Sequence, residues 1–240
     1  MAELDRHRAN RLIAAIPARQ LAQLAPSLEV VPLTPRTVLV DSGAPLHHAY
    51  FPHGGVICLM AAMRKGGAET ATVGPEGFIG FEALLGSRIA SQRVLVQVEG
   101  SASRLPIQTL ADAAQESASL RGLLLGYVRY FIIQVLQSVA CNGLHSVQER
   151  FARWLLMAHD RAGTDSFRLT QEFLADLLGI HRPSVTIVAR TLQSAGLISY
   201  SRGLITITDR QGLEEATCEC YDMVRKALLQ PPARSVSARR

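Results

Sequence analysis

Residues 171–190 read QEFLADLLGIHRPSVTIVAR. Gln171 to Leu178 has the spacing of a short helix, and Thr170 stands before it as a natural N-cap, its hydroxyl placed to accept a free backbone N–H. Gly179 closes the helix, because a sharp turn there needs a residue that tolerates positive φ. A second helix starts near His181 with Pro183 in its first turn, where a missing N–H does no harm. Ala175 is small where two helices must cross closely, and Val185 is apolar where the second packs back on the first. Ala, Gly and Val at the fifth, ninth and fifteenth places of this window are what a DNA-reading helix-turn-helix requires. An ordinary helical hairpin is the competing reading.

Downstream, Leu197 to Ile207 reads LISYSRGLITI. Two short alternating strands flank a Ser201-Arg202-Gly203 turn, the pattern of a β-hairpin wing. Upstream, Arg161 to Ser166 is a loop and about Ser146 to Arg161 a helix, which follows a break near Asn142-Gly143.

From Leu110 to Arg161 there is no proline. Within Leu120–Val139 apolar residues occupy almost the whole helical circumference, and a helix apolar on all sides must be buried on all sides. One face then packs on the preceding domain and the other on a second chain, although the spacing is not a clean heptad. Leu120, Leu124, Val128, Phe131, Val135 and Val139 are assigned to that seam; a central helix inside a monomer is the alternative. Gly122 to Ala140 has nearly the length of a membrane span, but Arg129 lies near its centre, where insertion costs roughly 2.5–3.5 kcal/mol. No membrane role is expected.

The N-terminal half breaks often. Val38–Val40, Val56–Met60, Ala71–Val73 and Val94–Val98 are short apolar stretches separated by Ser42-Gly43, Gly54-Gly55, Gly66-Gly67, Gly74-Pro75 and Gly86. Such spacing indicates an antiparallel, jelly-roll-like β-roll over about residues 25–105, preceded by helical spacing from Leu12 to Leu24. The fold class is α+β: a β-roll with its N-terminal helix (1–108), a long dimerisation helix (109–145), a winged helix-turn-helix (146–225) and a flexible basic tail (226–240).

Of 240 residues 48% are hydrophobic and 19% charged, which excludes general disorder. The net charge of +5 suits a negatively charged partner without requiring one, since Arg234, Arg239 and Arg240 of the tail supply much of it. Met1 to Asn10 lacks the apolar core of a signal peptide, so a cytoplasmic location is expected. Cys58, Cys141, Cys218 and Cys220 include no C-x-x-C pair. Cys218 and Cys220, two apart on an expected helix, would point to different sides and not share a metal. His47, His48 and His53 read as turn or surface histidines. No metal or other cofactor is expected. With no nucleophile elbow, phosphate loop or metal-ligand cluster, neither is catalysis.

The run LTQEFLADLLGIHRPSVTIVARTLQSAGLISYSRGLITITD (Leu169–Asp209), supported by GPEGFIGFE (Gly74–Glu82), resembles the superfamily of the cyclic-AMP receptor protein and the fumarate-nitrate reduction regulator, abbreviated CRP/FNR. The resemblance covers about residues 10–225. It implies a cyclic-nucleotide-binding-like β-roll, a dimerisation helix and a winged helix-turn-helix that binds double-stranded DNA. The binding site would be an inverted repeat read by a homodimer, with RNA polymerase as a further partner of an activator.

By the same resemblance Arg182, Pro183, Ser184, Thr186 and Ile187 face the major groove, Arg182 in a position to donate two bonds to guanine O6 and N7. Thr170, Gln171, Arg190 and Arg202 are the phosphate contacts. The family pattern has Glu after its first Arg and a second Arg four residues on; here they are Pro183 and Ile187, so the operator should differ.

The family's nucleotide pocket sets a glutamate against the ribose and an Arg-Ser pair against the cyclic phosphate. The matching positions read Gly77-Phe78-Ile79-Gly80 and Ala90-Ser91-Gln92, so both charges are missing; Glu82, Arg88 and Arg93 lie close by. The effector, if there is one, is expected not to be cyclic AMP, and Phe78 is a candidate to fill the space. A ligand-binding regulator acting by protein–protein contact without DNA is the alternative function.

Overall fold

The computed structural model describes residues 2–62 and 67–229. The expected Gly66-Gly67 turn lies partly outside them, and residues 230–240 of the expected tail 226–240 wholly so; the first four residues of that tail are instead helical.

Three short helices open the chain: α1 (Ala2–His7), α2 (Arg11–Ala15) and α3 (Ala18–Leu24). The expected single helix over Leu12–Leu24 is two, because Ile16 turns extended before Pro17. Asn10 is fully buried: its Oδ1 accepts the N–H groups of Leu12 and Ile13, and its Nδ2 donates to Pro52 O and Gly77 O, both at 2.9 Å.

The sheet uses β1 (Glu29–Leu33), β2 (Val38–Val40), β3 (His48–Ala62), β4 (Gly67–Val73) and β5 (Arg93–Pro106). All pairs are antiparallel, in the order β1-β5-β3-β4 with β2 also on β5. Gly54-Gly55 is not the turn expected from the sequence. It lies inside β3, where the register with β5 shifts three times between Pro52 and Ile57, and Gly55 takes φ +83° with no room for a Cβ against the Val98 and Glu99 carbonyls. Two long bent strands thus replace several short ones.

After β5 come α4 (Ile107–Glu116) and α5 (Ala118–Leu144). The single helix expected over 109–145 is broken at Ser117, which is extended (φ −122°, ψ 106°) and caps α5 by accepting the Leu120 N–H. Conversely, α5 runs through Asn142-Gly143, and the next break falls at His145. Then follow α6 (Val147–Ala162), opened by a Ser146/Glu149 capping box, and β6 (Ser166–Arg168). The chain continues with α7 (Gln171–Leu178), α8 (Arg182–Ser194), β7 (Ile198–Ser201), β8 (Leu204–Ile207), α9 (Arg210–Glu215) and α10 (Cys220–Leu229).

One polar knot joins the parts. The Arg161 guanidinium on α6 pairs with Glu76 at 2.7 Å, donates to Met157 O and Tyr130 Oη, and lies 3.4 Å from Gln134 Oε1. Gln134 on α5 in turn donates to Thr72 O of β4. Both Arg161 and Glu76 are buried. The arginine stem lies over Gly74, where a Cβ would come within 2.5 Å of it, so the loop before Glu76 requires glycine.

The seam assignment on α5 needs correction. Leu120, Leu124, Val128 and Phe131 are 0–7% exposed and lie in the chain's own core, Phe131 with its ring 4.5 Å from that of Phe81. Val135 is half-buried and only Val139 is open. Among the exposed residues of α5, Gly122, Leu125, Arg129, Ile132, Leu136, Val139 and Gly143 follow one another at intervals of three, four, three, four, three and four, with Ala118, Ser119, Arg121, Ala140, Asn142 and Leu144 exposed beside them. The first set has heptad spacing. The two interleaved apolar faces hid it in the sequence.

Candidate nucleic-acid interface

Local chemistry builds the helix pair. Thr170 (φ −76°, ψ 153°) accepts the Phe173 N–H on its hydroxyl, and Gly179 (φ 64°) ends α7 in the left-handed region. The Ile180 N–H reaches back to Ala175 O at 3.0 Å, which locks the turn. His181 is the N-cap residue of α8, and Pro183 sits in its first turn. Leu174, Ala175, Leu178, Val185, Ala189 and Leu192 are buried between the two helices and the rest of the domain.

With this side fixed inward, Arg182, Pro183, Thr186, Ile187 and Arg190 fall within one outward stripe of α8, at 100° per residue. Four of the five are exposed and Thr186 is half-buried; Ile187, an apolar residue, is 66% exposed. Ser184 sits at the border of the stripe, half-buried.

The wing is tied to α8 by the Tyr200 N–H donating to Gln193 Oε1 at 2.9 Å, and to the α7 entry by Tyr200 Oη donating to Leu169 O. Arg202 stands at its tip with φ 50°, beside Gly203 at φ 77°, the two left-handed residues a tight hairpin turn needs. Thr170 and Arg202 are exposed but border clefts against the β-roll, together with Arg36. Gln171 is half-buried and Arg190 exposed. The Thr170 hydroxyl, although it accepts within the cap, still has its proton to donate.

The region matching a nucleotide pocket is filled by the protein itself. Phe78 is fully buried and stacks on Phe51 with ring centroids 5.2 Å apart. Gly77 is pressed against the Tyr127 ring, Gly80 takes φ +98°, and Ile79 and Ala90 are buried. Glu82 is buried too, and one carboxylate oxygen accepts both the N–H and the hydroxyl of the exposed Ser91. A larger cleft of about 540 Å³ lies elsewhere, between the β-roll and α7, with Arg36, Arg93, Glu172 and Asp176 among its lining residues.

Two groups of residues were missed in the sequence. Glu69 on β4 accepts from the Trp154 indole N–H at 3.2 Å and from Gln97, and burial pushes its carboxyl up to about 8 against these bonds and the Arg153 and Arg161 charges. The second group corrects the reading of the cysteines: Cys218 precedes α10 and is not inside a helix, so it and Cys220 converge with Cys141 and His145. His53, expected in a turn, lies in β3 between the hydroxyls of Ser101 and Ser103.

Residues 149–216 match the Crp-like helix-turn-helix domain. Over most of its length the chain has the CRP/FNR fold. A CRP/FNR-family transcriptional regulator from Eubacterium rectale is 18% identical and superposes with a TM-score of 0.67 over 87% of this chain and 98% of that one. FixK2 from Bradyrhizobium japonicum is 16% identical, with a TM-score of 0.67 over 80% and 98%. A CRP/FNR-family regulator from Thermus thermophilus is 23% identical, with a TM-score of 0.64 over 78% and 97%. No curated protein matches the sequence. The CRP/FNR fold accounts for the order of parts seen here: sheet, long helix, and a helix-turn-helix DNA-binding domain with its wing. The Eubacterium rectale and Thermus thermophilus matches are described as transcriptional regulators of the CRP/FNR family.

Proposed function

We propose that this chain is a cytoplasmic, homodimeric transcription regulator that reads an inverted-repeat operator without cyclic AMP. The observation that carries the reading is the outward stripe of α8, held by a buried opposite face. In this role Arg182 reads guanine in the major groove. Ser184 and Thr186 supply hydroxyls at the same surface, and Pro183 and Ile187 supply apolar contact, as thymine methyl groups would accept. Thr170, Gln171, Arg190 and Arg202 hold phosphates and set the register.

The heptad of Leu125, Ile132, Leu136 and Val139 is the seam for a second copy, because so long an apolar stripe is unfavourable in water. Arg129, near its middle, is long enough to carry its charge to the edge of the seam. Two such chains would present recognition helices to half-sites about 34–36 Å apart. Burial of Phe78 and the engagement of Glu82 with Ser91 argue against a cyclic nucleotide in the equivalent pocket. An effector, where one acts, would shift the population toward correctly spaced recognition helices. As an activator the dimer would also contact RNA polymerase.

The test is selection of binding sites from a random duplex pool with purified protein and no ligand. The expected outcome is enrichment of an inverted repeat, with affinity falling steeply with salt as phosphate contacts release counterions. Retention of the duplex pool without enrichment, or no salt-dependent binding at all, would favour a regulator acting through protein contact.

A further inference from the structure

Cys141 lies in the last turn of α5 and His145 follows one turn later at its C-cap; Cys218 sits in the turn after α9 and Cys220 begins α10. The ligand atoms of all four lie within 4.8 Å of one another. Cys141 Sγ and Cys218 Sγ are 3.5 Å apart, and Cys220 Sγ is 3.5 Å from His145 Nδ1. Two sulfurs on one tetrahedral zinc at about 2.3 Å lie roughly 3.8 Å apart, and a sulfur and a nitrogen roughly 3.5 Å. The same sulfurs are well beyond the ~2.05 Å of a disulfide. All three cysteines are buried, at 0–5% exposure.

We propose that Cys141, His145, Cys218 and Cys220 bind one zinc(II) ion, which fastens the end of α5 to the start of α10. Three S–H bonds give way to three Zn–S bonds and the protons leave to solvent; neutral His145 contributes its Nδ1 lone pair, and no electron is transferred. Two further contacts fit such a site. His145 Nε2 is 3.3 Å from the Glu219 carboxylate, the outer partner that fixes a ligating imidazole in the right tautomer. Gln137 Nε2 donates to Cys220 Sγ at 3.0 Å, a bond that a thiolate strengthens. Three thiolates around one divalent ion leave a charge of −1, and the buried Arg153 lies near enough to Cys141 to offset it.

The location gives the ion its consequence. His145 is the break between α5, which carries the heptad, and α6, which opens the DNA-binding domain. An ion there holds the domain against the helix that positions its twin. This last step rests on the DNA-reading proposal above, whereas the metal site does not.

The experiment uses the reduced, chelator-stripped full chain titrated with cobalt(II). The expected result is one cobalt per chain, with thiolate-to-metal charge-transfer bands in the near ultraviolet and tetrahedral d–d bands in the visible. Zinc(II) should then bleach both. Cys218→Ser should lose the charge-transfer intensity of one sulfur and bind far more weakly. Glu219→Gln keeps all four ligands and should lower affinity about 10–100-fold, which decides the matter if the cysteine variant misfolds. No saturable bands in the wild-type chain, or bands unchanged in both variants, would overturn the site. On the selected duplex, zinc-loaded protein should bind at least about fivefold tighter than stripped protein. Equal affinity would overturn the role at the break. Cobalt bands without any DNA binding would count against the DNA-reading proposal and leave the metal site standing.

Discussion

Replacing Glu76 by alanine strands Arg161. The guanidinium is 6% exposed and pairs with Glu76 at 2.7 Å; its remaining bonds go to the neutral Met157 O, Tyr130 Oη and Gln134 Oε1. Water has little access to the freed charge, so the loss should approach the roughly 3–5 kcal/mol typical of breaking a buried pair from one side. At 1.36 kcal/mol per power of ten, the folding equilibrium falls by about two to four orders of magnitude. For a chain of this length the midpoint of thermal unfolding should drop by about 6–20 °C. Urea unfolding followed by Trp154 fluorescence is the assay: it is the only tryptophan, and it stands on the same helix as Arg161, bonded across to Glu69 of the β-roll. The double variant Glu76→Ala, Arg161→Met removes the second charge and should recover a substantial part of the loss. A single-variant loss below about 1 kcal/mol would show that the neutral partners or penetrating water suffice. A double variant no better than the single would show that the lost carboxylate mattered by shape and not by charge.

Leu136→Asp, at a heptad position that is 63% exposed within the protomer, should leave the fold intact and give a monomer by light scattering. Val128→Asp, 4% exposed in the protomer core, should instead unfold the chain; the opposite pattern would mean the seam and the core are exchanged. Arg182→Ala should cost about 1–3 kcal/mol of operator affinity and relax preference at one base pair per half-site, while equal loss on every sequence would make Arg182 a phosphate contact. Glu69, raised from 4.5 to about 8, is held neutral in the fold, so between those values the folded state binds more protons than the unfolded one and stability falls as pH rises. Glu69→Gln should remove a decline of about 2 kcal/mol between pH 6 and pH 8, read from urea midpoints; a wild-type midpoint flat over that interval would refute the shift.

The helix-turn-helix was legible because it is written locally. Thr170 and Gly179 set their boundaries through their own backbone and capping chemistry, and Ala175 and Val185 act within one helix pair. The wing turn followed from Ser201-Arg202-Gly203 for the same reason. The sensor region was legible in part. The missing charges at Phe78 and Ala90 were plain, but the packing of Phe78 on Phe51 joins the segment after β4 to β3 and no spacing announces it.

On α5 the composition alone said that both faces would be covered, and the structure had to say which residues lie on which. Leu124 and Leu125 are equally apolar and adjacent in sequence, yet one is at 0% and the other at 39% exposure, because contact with the β-roll selects a rotation of the helix about its axis. Gly54-Gly55 misled for a related reason: glycine permits a turn, and it equally permits a bent strand pressed against a neighbouring backbone.

The sequence by itself thus determined the α+β class, the order of parts and the recognition unit, since these rest on interactions within a few residues. The tertiary structure alone decided the heptad face, the Arg161–Glu76 knot and the gathering of Cys141 and His145 with Cys218 and Cys220. The last two bring together side chains tens of residues apart, and the first depends on which side of α5 meets the β-roll; all three are set by how helices and sheet pack, which the spacing along the chain does not encode.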